Sequence, residues 1–380
     1  MRINSSCRVL IIAGFNGSLI NFRGPLIRTL CDNGFEVHAA APALTSAPSV
    51  VCQLREWGVK CHNISFQRTG VNPIMDALGF LRLLVLIWSI RPDLVLGYTA
   101  KPVIYGTLAA WLARVPRRFA LITGLGYAFT GQAYGKRRMI QNMARRLYAQ
   151  ALKRNDQVFF QNPDDEAFFR RLKLMPQRVP STVVNGSGVD LDRFRLTPLP
   201  QGQIVFLLIA RLLGDKGVRE YVASAKIIRE RYPEVVFRLV GDVDNNPDSV
   251  SPDEVEAWQR GGAIEYLGRL DDVRSAIAGC SVYVLPSYRE GTPRTVLEAM
   301  AMGRAIITTQ TPGCRETVLD GENGYLVPVK DVDALVDAMS RMIERPQQII
   351  VMGAQSRAIA EEKYDVHKVN AVMLKKMGLL

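Results

Sequence analysis

The chain has 380 residues, 48% of them hydrophobic, and a net charge of +12; that length exceeds one ordinary core and implies two domains. Its six cysteines form no C-x-x-C pair and its three histidines are scattered, which excludes a zinc or disulfide framework and fits a reducing cytosol. Residues 1–185 hold 24 Lys and Arg against 9 Asp and Glu, and residues 186–380 hold 24 against 27, so the first half suits a polyanionic surface, either anionic lipid or nucleic acid, with a solubilising charge bias as the plain alternative.

The first apolar run, Val9 to Ala13, is too short for a signal peptide and ends in turn residues, so residues 8–13 read as a first strand. It leads into GFNGSLINFRGPL (14–26). There Gly14 and Gly17 permit close backbone approach to a ligand, and Gly24-Pro25 opens a helix over 25–33. Asn16 stands where G-x-G-x-x-G has its second glycine, and no acidic residue is placed to hold an adenosine ribose. A dinucleotide site is therefore disfavoured. With no G-x-x-x-x-G-K-[ST], so is a P-loop kinase or ATPase. After a strand over 35–40 comes ALGFLRLLVLIWSI (77–90). It is too short to span a bilayer, Arg82 interrupts it and Pro92 follows, so 74–90 reads as a buried or interfacial helix. Strands over 93–97, 119–122, 157–161 and 181–185 alternate with helices over 102–113 and 137–153. Within GKRRMIQNMARRLYAQALKR (135–154), Met139, Met143, Leu147 and Ala151 recur every four residues. Arg137, Arg138, Arg145, Arg146, Lys153 and Arg154 surround them. That pattern is either a basic amphipathic helix on an anionic membrane or a core-packed helix with a solvated basic face.

Two prolines and polar residues in LDRFRLTPLPQGQ (191–203) break the alternation. They divide the chain into domains 1–190 and 191–380, with the last helix free to pack back on the first. In the second half, strands over 203–209, 235–240, 281–285 and 305–308 alternate with helices over 217–231, 271–278 and 293–302. Short apolar runs alternating with helices imply parallel, doubly wound sheets. The expected fold is α/β: two Rossmann-like domains facing across a cleft, with ligands at the carboxyl ends of the strands.

The chemistry-bearing loops are in the second half. In ARLLGDKGVREYV (210–222), Arg211 and Lys216 flank a turn at a strand's carboxyl end. Two cations there suit a diphosphate leaving group, although basic residues beside a helix start are also common on surfaces. VFRLVGD (236–242) and EYLGRL (265–270) each end a strand with glycine, which suits a nucleotide base or ribose at the same edge. REGTPRTVLEAMAMG (289–303) then places Glu290 in a loop and Glu298 inside a helix. Thr292 is expected as the N-cap and Pro293 as the first helical residue. Arg294, Thr295 and Glu298 share one face. Free N–H groups at such a helix start form an anion cradle, here with a carboxylate on each side, as a sugar nucleotide would use. An ordinary capped helix with solvated glutamates is the plain alternative. Asp242 and Asp244 form a D-V-D string whose place in a second-domain loop argues for chance, so no metal is implied.

ARLLGDKG, VGD, EYLGRL and REGTPRTVLEAMAMGRAIITTQTPGCRETVLDGENGYLVP together resemble glycosyltransferase family 4, with the two-domain GT-B fold, over nearly the whole chain. GYTAKPVIYG (97–106) and ITGLGYAFTG (122–131) look like bacterial transferases that extend undecaprenyl-diphosphate-linked sugars, such as N-acetylgalactosaminyltransferases. The resemblance implies a retaining transferase that takes a UDP-sugar as substrate, needs no cofactor or metal, and acts peripherally at the inner face of the cytoplasmic membrane. In its terms Glu290, Arg211 and Lys216 are the catalytic set, with Glu290 on the donor sugar and the two cations on the diphosphate. Glu298 would hold the ribose, Arg269 and Leu270 would border the base, and Gly291, Thr292, Pro293, Arg294, Thr295 and Val296 would line the sugar and phosphate. Asn16 and Gly17 are assigned to the donor from the first domain. Lys101, Arg23 and Tyr127 are assigned to a polyprenyl-diphosphate-linked acceptor. Many family members carry a histidine in the loop equivalent to 123–128; here that loop is TGLGYA. The departing phosphate can itself take the acceptor's proton, so no protein base is required. The alternatives are a UDP-sugar epimerase of the same fold, a transferase with a soluble acceptor, and a membrane-surface protein without enzymatic activity. No nucleic-acid recognition motif accompanies the charge.

Overall fold

The computed structural model describes residues 7–66, 73–125, 135–243 and 248–380. The chain forms two compact units, 1–187 together with 369–380, and 188–368. The division falls at Ser187/Gly188, a few residues before the expected break, and the last twelve residues return to the first unit.

Among the described residues of the first unit, seven parallel strands take the order β3-β2-β1-β4-β5-β6-β7. They are β1 Arg8–Ile12, β2 Glu36–Pro42, β3 Lys60–Ile64, β4 Leu94–Tyr98, β5 Arg117–Ile122, β6 Gln157–Phe160 and β7 Ser181–Val183. The described residues of the second unit form six parallel strands in the order β10-β9-β8-β11-β12-β13. These are β8 Val205–Ile209, β9 Val236–Val240, β10 Glu265–Tyr266, β11 Val282–Leu285, β12 Ala305–Thr309 and β13 Gly324–Val327. In both sheets the order reverses beside the first strand, between β1 and β4 and between β8 and β11. Chain connections leave in opposite directions there, opening a crevice at the strands' carboxyl ends.

The central strands are continuous apolar runs because helices cover both faces. VFLLI of β8 and LVLGY of β4 are wholly buried. The edge strand β3, KCHNI, has no such run. Its pairing with β2 alone carries it, and hydrophobic patterning does not announce it. Several helices absent from the sequence reading begin at well-formed caps. Asn162 Oδ1 accepts from Asp165 N at 2.8 Å at the start of Pro163–Arg171. Ser251 and Glu254 close a capping box at Pro252–Arg260, and Asp331 Oδ1 accepts from Ala334 N at 2.9 Å before Val332–Glu344. Each cap satisfies N–H groups that a helix start otherwise leaves open.

Candidate active site

In the second unit the crevice is lined by the loops after β8 and β11. After β8 the chain turns through Gly214–Lys216 into the helix Val218–Arg231. Gly217 makes that turn at φ +69, and a Cβ on it would lie 2.2 Å from the Pro286 carbonyl oxygen. Only glycine lets the turn press against the end of β11. Tyr288 N donates to the Asp215 carbonyl at 2.9 Å and locks the two loops together.

That contact brings Lys216 to Glu290. Lys216 Nζ donates to Glu290 Oε1 at 2.5 Å, and Ser287 Oγ lies 2.8 Å from the same oxygen. Burial pulls the Lys216 ammonium down, but Glu290 and Asp215 outweigh it and hold it above its ordinary value. Lys216 is therefore charged throughout the neutral range. Burial also raises the Asp215 carboxyl, opposed by Lys216. Arg211 is exposed at the mouth of this loop, near enough for its charge to act on Asp215 and Lys216.

The helix after the loop is Arg294–Ala301. Pro293, expected as its first residue, is instead the N-cap with ψ +108, and Thr292 lies outside the helix. With its backbone extended, Pro293 still donates no N–H, and no side chain caps the helix. Glu298 is buried and accepts from Arg294 Nε at 2.7 Å, so the expected shared face is present. Burial pushes the Glu298 carboxyl up, while Arg294 and Arg193 pull it down. Gly291, Pro293 and Val296 are buried; Thr292 and Thr295 are partly exposed. Thr295 Oγ1 donates to the Ile209 carbonyl at the end of β8 at 3.4 Å. Leu270 is half-buried, whereas Arg269 is exposed and pairs with Asp242 at 3.8 Å. Asp244, the other member of the D-V-D string, lies outside the described residues. Among the described residues no cluster of three His, Cys, Asp or Glu is arranged for a metal ion.

Two supports were not singled out from the sequence. Ser287, two residues beyond β11, donates to Glu290, and its carbonyl accepts from the buried Thr309 hydroxyl. Gly313, in the loop after β12, sits at φ +85; a Cβ there would lie 2.3 Å from the Glu290 carbonyl and 2.6 Å from that of Gly291. Glu290 N donates to the Pro312 carbonyl at 3.1 Å. The T-P-G string was the available signal, as a tight turn after a strand.

In the first unit the crevice lies between β1 and β4. Asn16 caps the short helix Gly17–Asn21, its Oδ1 accepting from Gly17 N at 2.6 Å while Nδ2 donates to the Ala43 carbonyl at 3.2 Å. Arg23, expected at a ligand-facing surface, is buried instead, its guanidinium 5.5 Å over the Tyr98 ring. Tyr98 in turn shares a hydrogen bond with Ser18 at 2.8 Å. Lys101 Nζ donates to Asp76 Oδ1 at 2.7 Å, and Tyr105 donates to Asp76 Oδ2 at 3.3 Å. Tyr127 and residues 126–128 of the 123–128 loop lie outside the described residues. On the helix Gly135–Leu152, Met139 and Met143 face solvent while Leu147 is half-buried and Ala151 buried. The apolar line thus runs from the surface into the core.

Residues 203–345 match the family described as glycosyl transferases group 1, and residues 23–186 match the glycosyl transferase 4-like domain. Over 351 residues the chain is 30% identical to the N,N'-diacetylbacillosaminyl-diphospho-undecaprenol alpha-1,3-N-acetylgalactosaminyltransferase of Campylobacter jejuni, covering 89% of each chain. This chain belongs to that glycosyltransferase family. The transferase is also 26% identical, over 75% of its length and 73% of the relative, to the UDP-Gal:alpha-D-GlcNAc-diphosphoundecaprenol alpha-1,3-galactosyltransferase of Escherichia coli. In fold it matches Anabaena HepE, solved with UDP and glucose, at a TM-score of 0.79 over 98% of this chain and all of that one, with 17% identity. The two doubly wound sheets of the transferase are thus those of the GT-B fold.

Proposed function

We propose that the transferase moves a sugar, a HexNAc such as GalNAc, from its UDP carrier to a polyprenyl-diphosphate-linked sugar, at an anionic membrane surface. The carrying observation is the 30% identity across 89% of the chain to a transferase whose named acceptor is a diphospho-undecaprenol sugar. The geometry after β8 and β11 supports the donor half. Lys216 and Arg211 supply positive charge where a leaving diphosphate gathers negative charge. Glu290, fixed by Lys216 and Ser287, accepts from donor-sugar hydroxyls. Glu298, with Arg294 beside it, holds the ribose hydroxyls, and N–H groups at the start of Arg294–Ala301 face the phosphates.

In the reaction, the bond from the sugar's C1 to the phosphate oxygen breaks and the bond from C1 to the acceptor oxygen forms on the same face. The acceptor's hydroxyl proton passes to the departing phosphate oxygen. This retains the anomeric configuration and uses no metal and no protein base. Lys101, already balanced by Asp76, would share its ammonium with the acceptor's diphosphate. Arg23, being buried, would support the loop after β1 without touching the acceptor. The epimerase alternative requires a cleft acid and base. His38 and His62 instead pair with each other across β2 and β3, 2.9 Å apart. The test is anomeric analysis of product made from UDP-GalNAc and the lipid-linked acceptor. An α-linked product supports the reading; an inverted product, or epimerised donor without transfer, overturns it.

A further inference from the structure

The helix Pro73–Ile90 is apolar on two faces. Leu83, Leu84, Ile87 and Ile90 are buried with residues of β1 and β4. On the opposite face Leu78, Leu81, Val85 and Trp88 form one line, and each is between 46% and 62% exposed. Their spacing of three and four residues stacks them along the helix. A surface helix normally keeps one apolar face and shows polar residues to water. The only charged residue between Leu78 and Trp88 is Arg82, whose guanidinium donates to Ser65 Oγ at 2.8 Å. The helix Thr107–Leu112 packs alongside and adds exposed Trp111 and Leu112. A contiguous apolar patch of this kind marks an interaction surface.

Charge identifies the partner. Residues 73–154 contain 13 Lys and Arg, two Asp and no Glu. Asp76 is buried against Lys101, and Asp93 accepts from Arg8 N at 2.8 Å. The apolar line is therefore bordered by cations such as Arg91 and Arg114 without exposed acids among the described residues of this segment. Arg154 lies 4.1 Å over the Trp111 ring. A second copy of this face would set arginine against arginine. A bilayer with anionic headgroups satisfies both features: acyl chains take the apolar line and phosphates take the guanidinium groups.

We propose that the helix Pro73–Ile90 lies in the headgroup plane of an anionic bilayer with Leu78, Leu81, Val85 and Trp88 immersed. This rests on the lipid-linked acceptor reading and names the surface that serves it. Among the described residues no helix is long and apolar enough to cross a membrane, and lying in the plane requires no crossing.

The full chain is tested by co-sedimentation with vesicles of phosphatidylethanolamine and phosphatidylglycerol, against phosphatidylcholine alone. The expected result is preference for the anionic vesicles, with tryptophan emission shifted to the blue and quenched by brominated lipid. Leu81→Gln/Val85→Gln/Trp88→Gln should lower partitioning at least about tenfold, while melting temperature and UDP binding stay unchanged because these side chains face water. Trp88→Phe/Trp111→Phe should retain partitioning and lose most of the emission shift. Unchanged partitioning of the triple variant, or a wild-type dimer that the triple variant dissolves, overturns the proposal. Transfer to acceptor dispersed in detergent is the separate readout: its absence in both proteins would refute the proposed reaction and leave the docking result standing.

Discussion

Gly313→Ala should disable the transferase without unfolding it. A Cβ at this position would lie 2.3 Å from the Glu290 carbonyl and 2.6 Å from that of Gly291. Ordinary contact needs about 3.4 Å, so the loop carrying Glu290 must retreat by about 1 Å. A misplacement of that size at reacting groups costs on the order of 100-fold in rate, equivalent to about 2.7 kcal/mol of barrier. The left-handed backbone, φ +85, adds roughly 1–2 kcal/mol of destabilisation, within the 5–15 kcal/mol typical of a folded domain. Gly321→Ala is the matched control: φ is +81 and nothing lies within 4 Å of the new Cβ. It carries the same backbone cost and moves no loop. UDP release and thermal melting of both variants separate the two effects. The reasoning fails if folded Gly313→Ala turns over within threefold of wild type, or if Gly321→Ala loses as much activity.

Glu298→Ala removes the partner of Arg294 from a buried position and should weaken UDP binding at least about tenfold and abolish transfer; unchanged kinetics would reject the ribose assignment. Lys216→Met strips the cation from Glu290 and should lower kcat by two or more orders of magnitude, measured by UDP release at saturating donor; a change confined to KM would place Lys216 in uniform binding instead. His38 and His62 stack 5.1 Å apart beside Glu36 and Lys60, and burial lowers both their pKa values. The folded state therefore binds fewer protons than the unfolded chain. Stability is full above about pH 6.5 and declines as pH falls through the folded values. Melting curves from pH 7.5 to 5 should show that decline blunted in His62→Asn; an equal decline would remove the pair from the account.

The alternation of strands and helices was legible because VFLLI, LVLGY and their neighbours are buried on both faces and carry unbroken apolar runs. Two edge strands, β3 and β13, were not, whereas the edge strands β7 and β10 fall within the strands read at 181–185 and in EYLGRL. KCHNI is half polar, and β13 is a four-residue strand held only by β12. Glu290, Glu298, Arg211 and Lys216 were singled out as carboxylates and cations at strand ends and a helix start, a pattern that surfaces also show, and by the ordered motifs in which they stand. What placed them is long-range: Gly217 against Pro286, and Gly313 against Glu290. Local spacing holds no record of those approaches. The same limit explains Pro293. Its ring suits either the N-cap or the first helical position, and its ψ, extended here, decides which. Arg23 was misread as surface-facing because its stacking on Tyr98 joins residues 75 positions apart.

The most direct test of the account is UDP release by the purified chain across a panel of UDP-sugars, with and without bacterial polyprenyl-diphosphate-linked sugar. The account predicts release that requires both one donor and the lipid-linked acceptor, and that persists in EDTA. No release across the panel, together with no thermal shift on adding UDP, would contradict it.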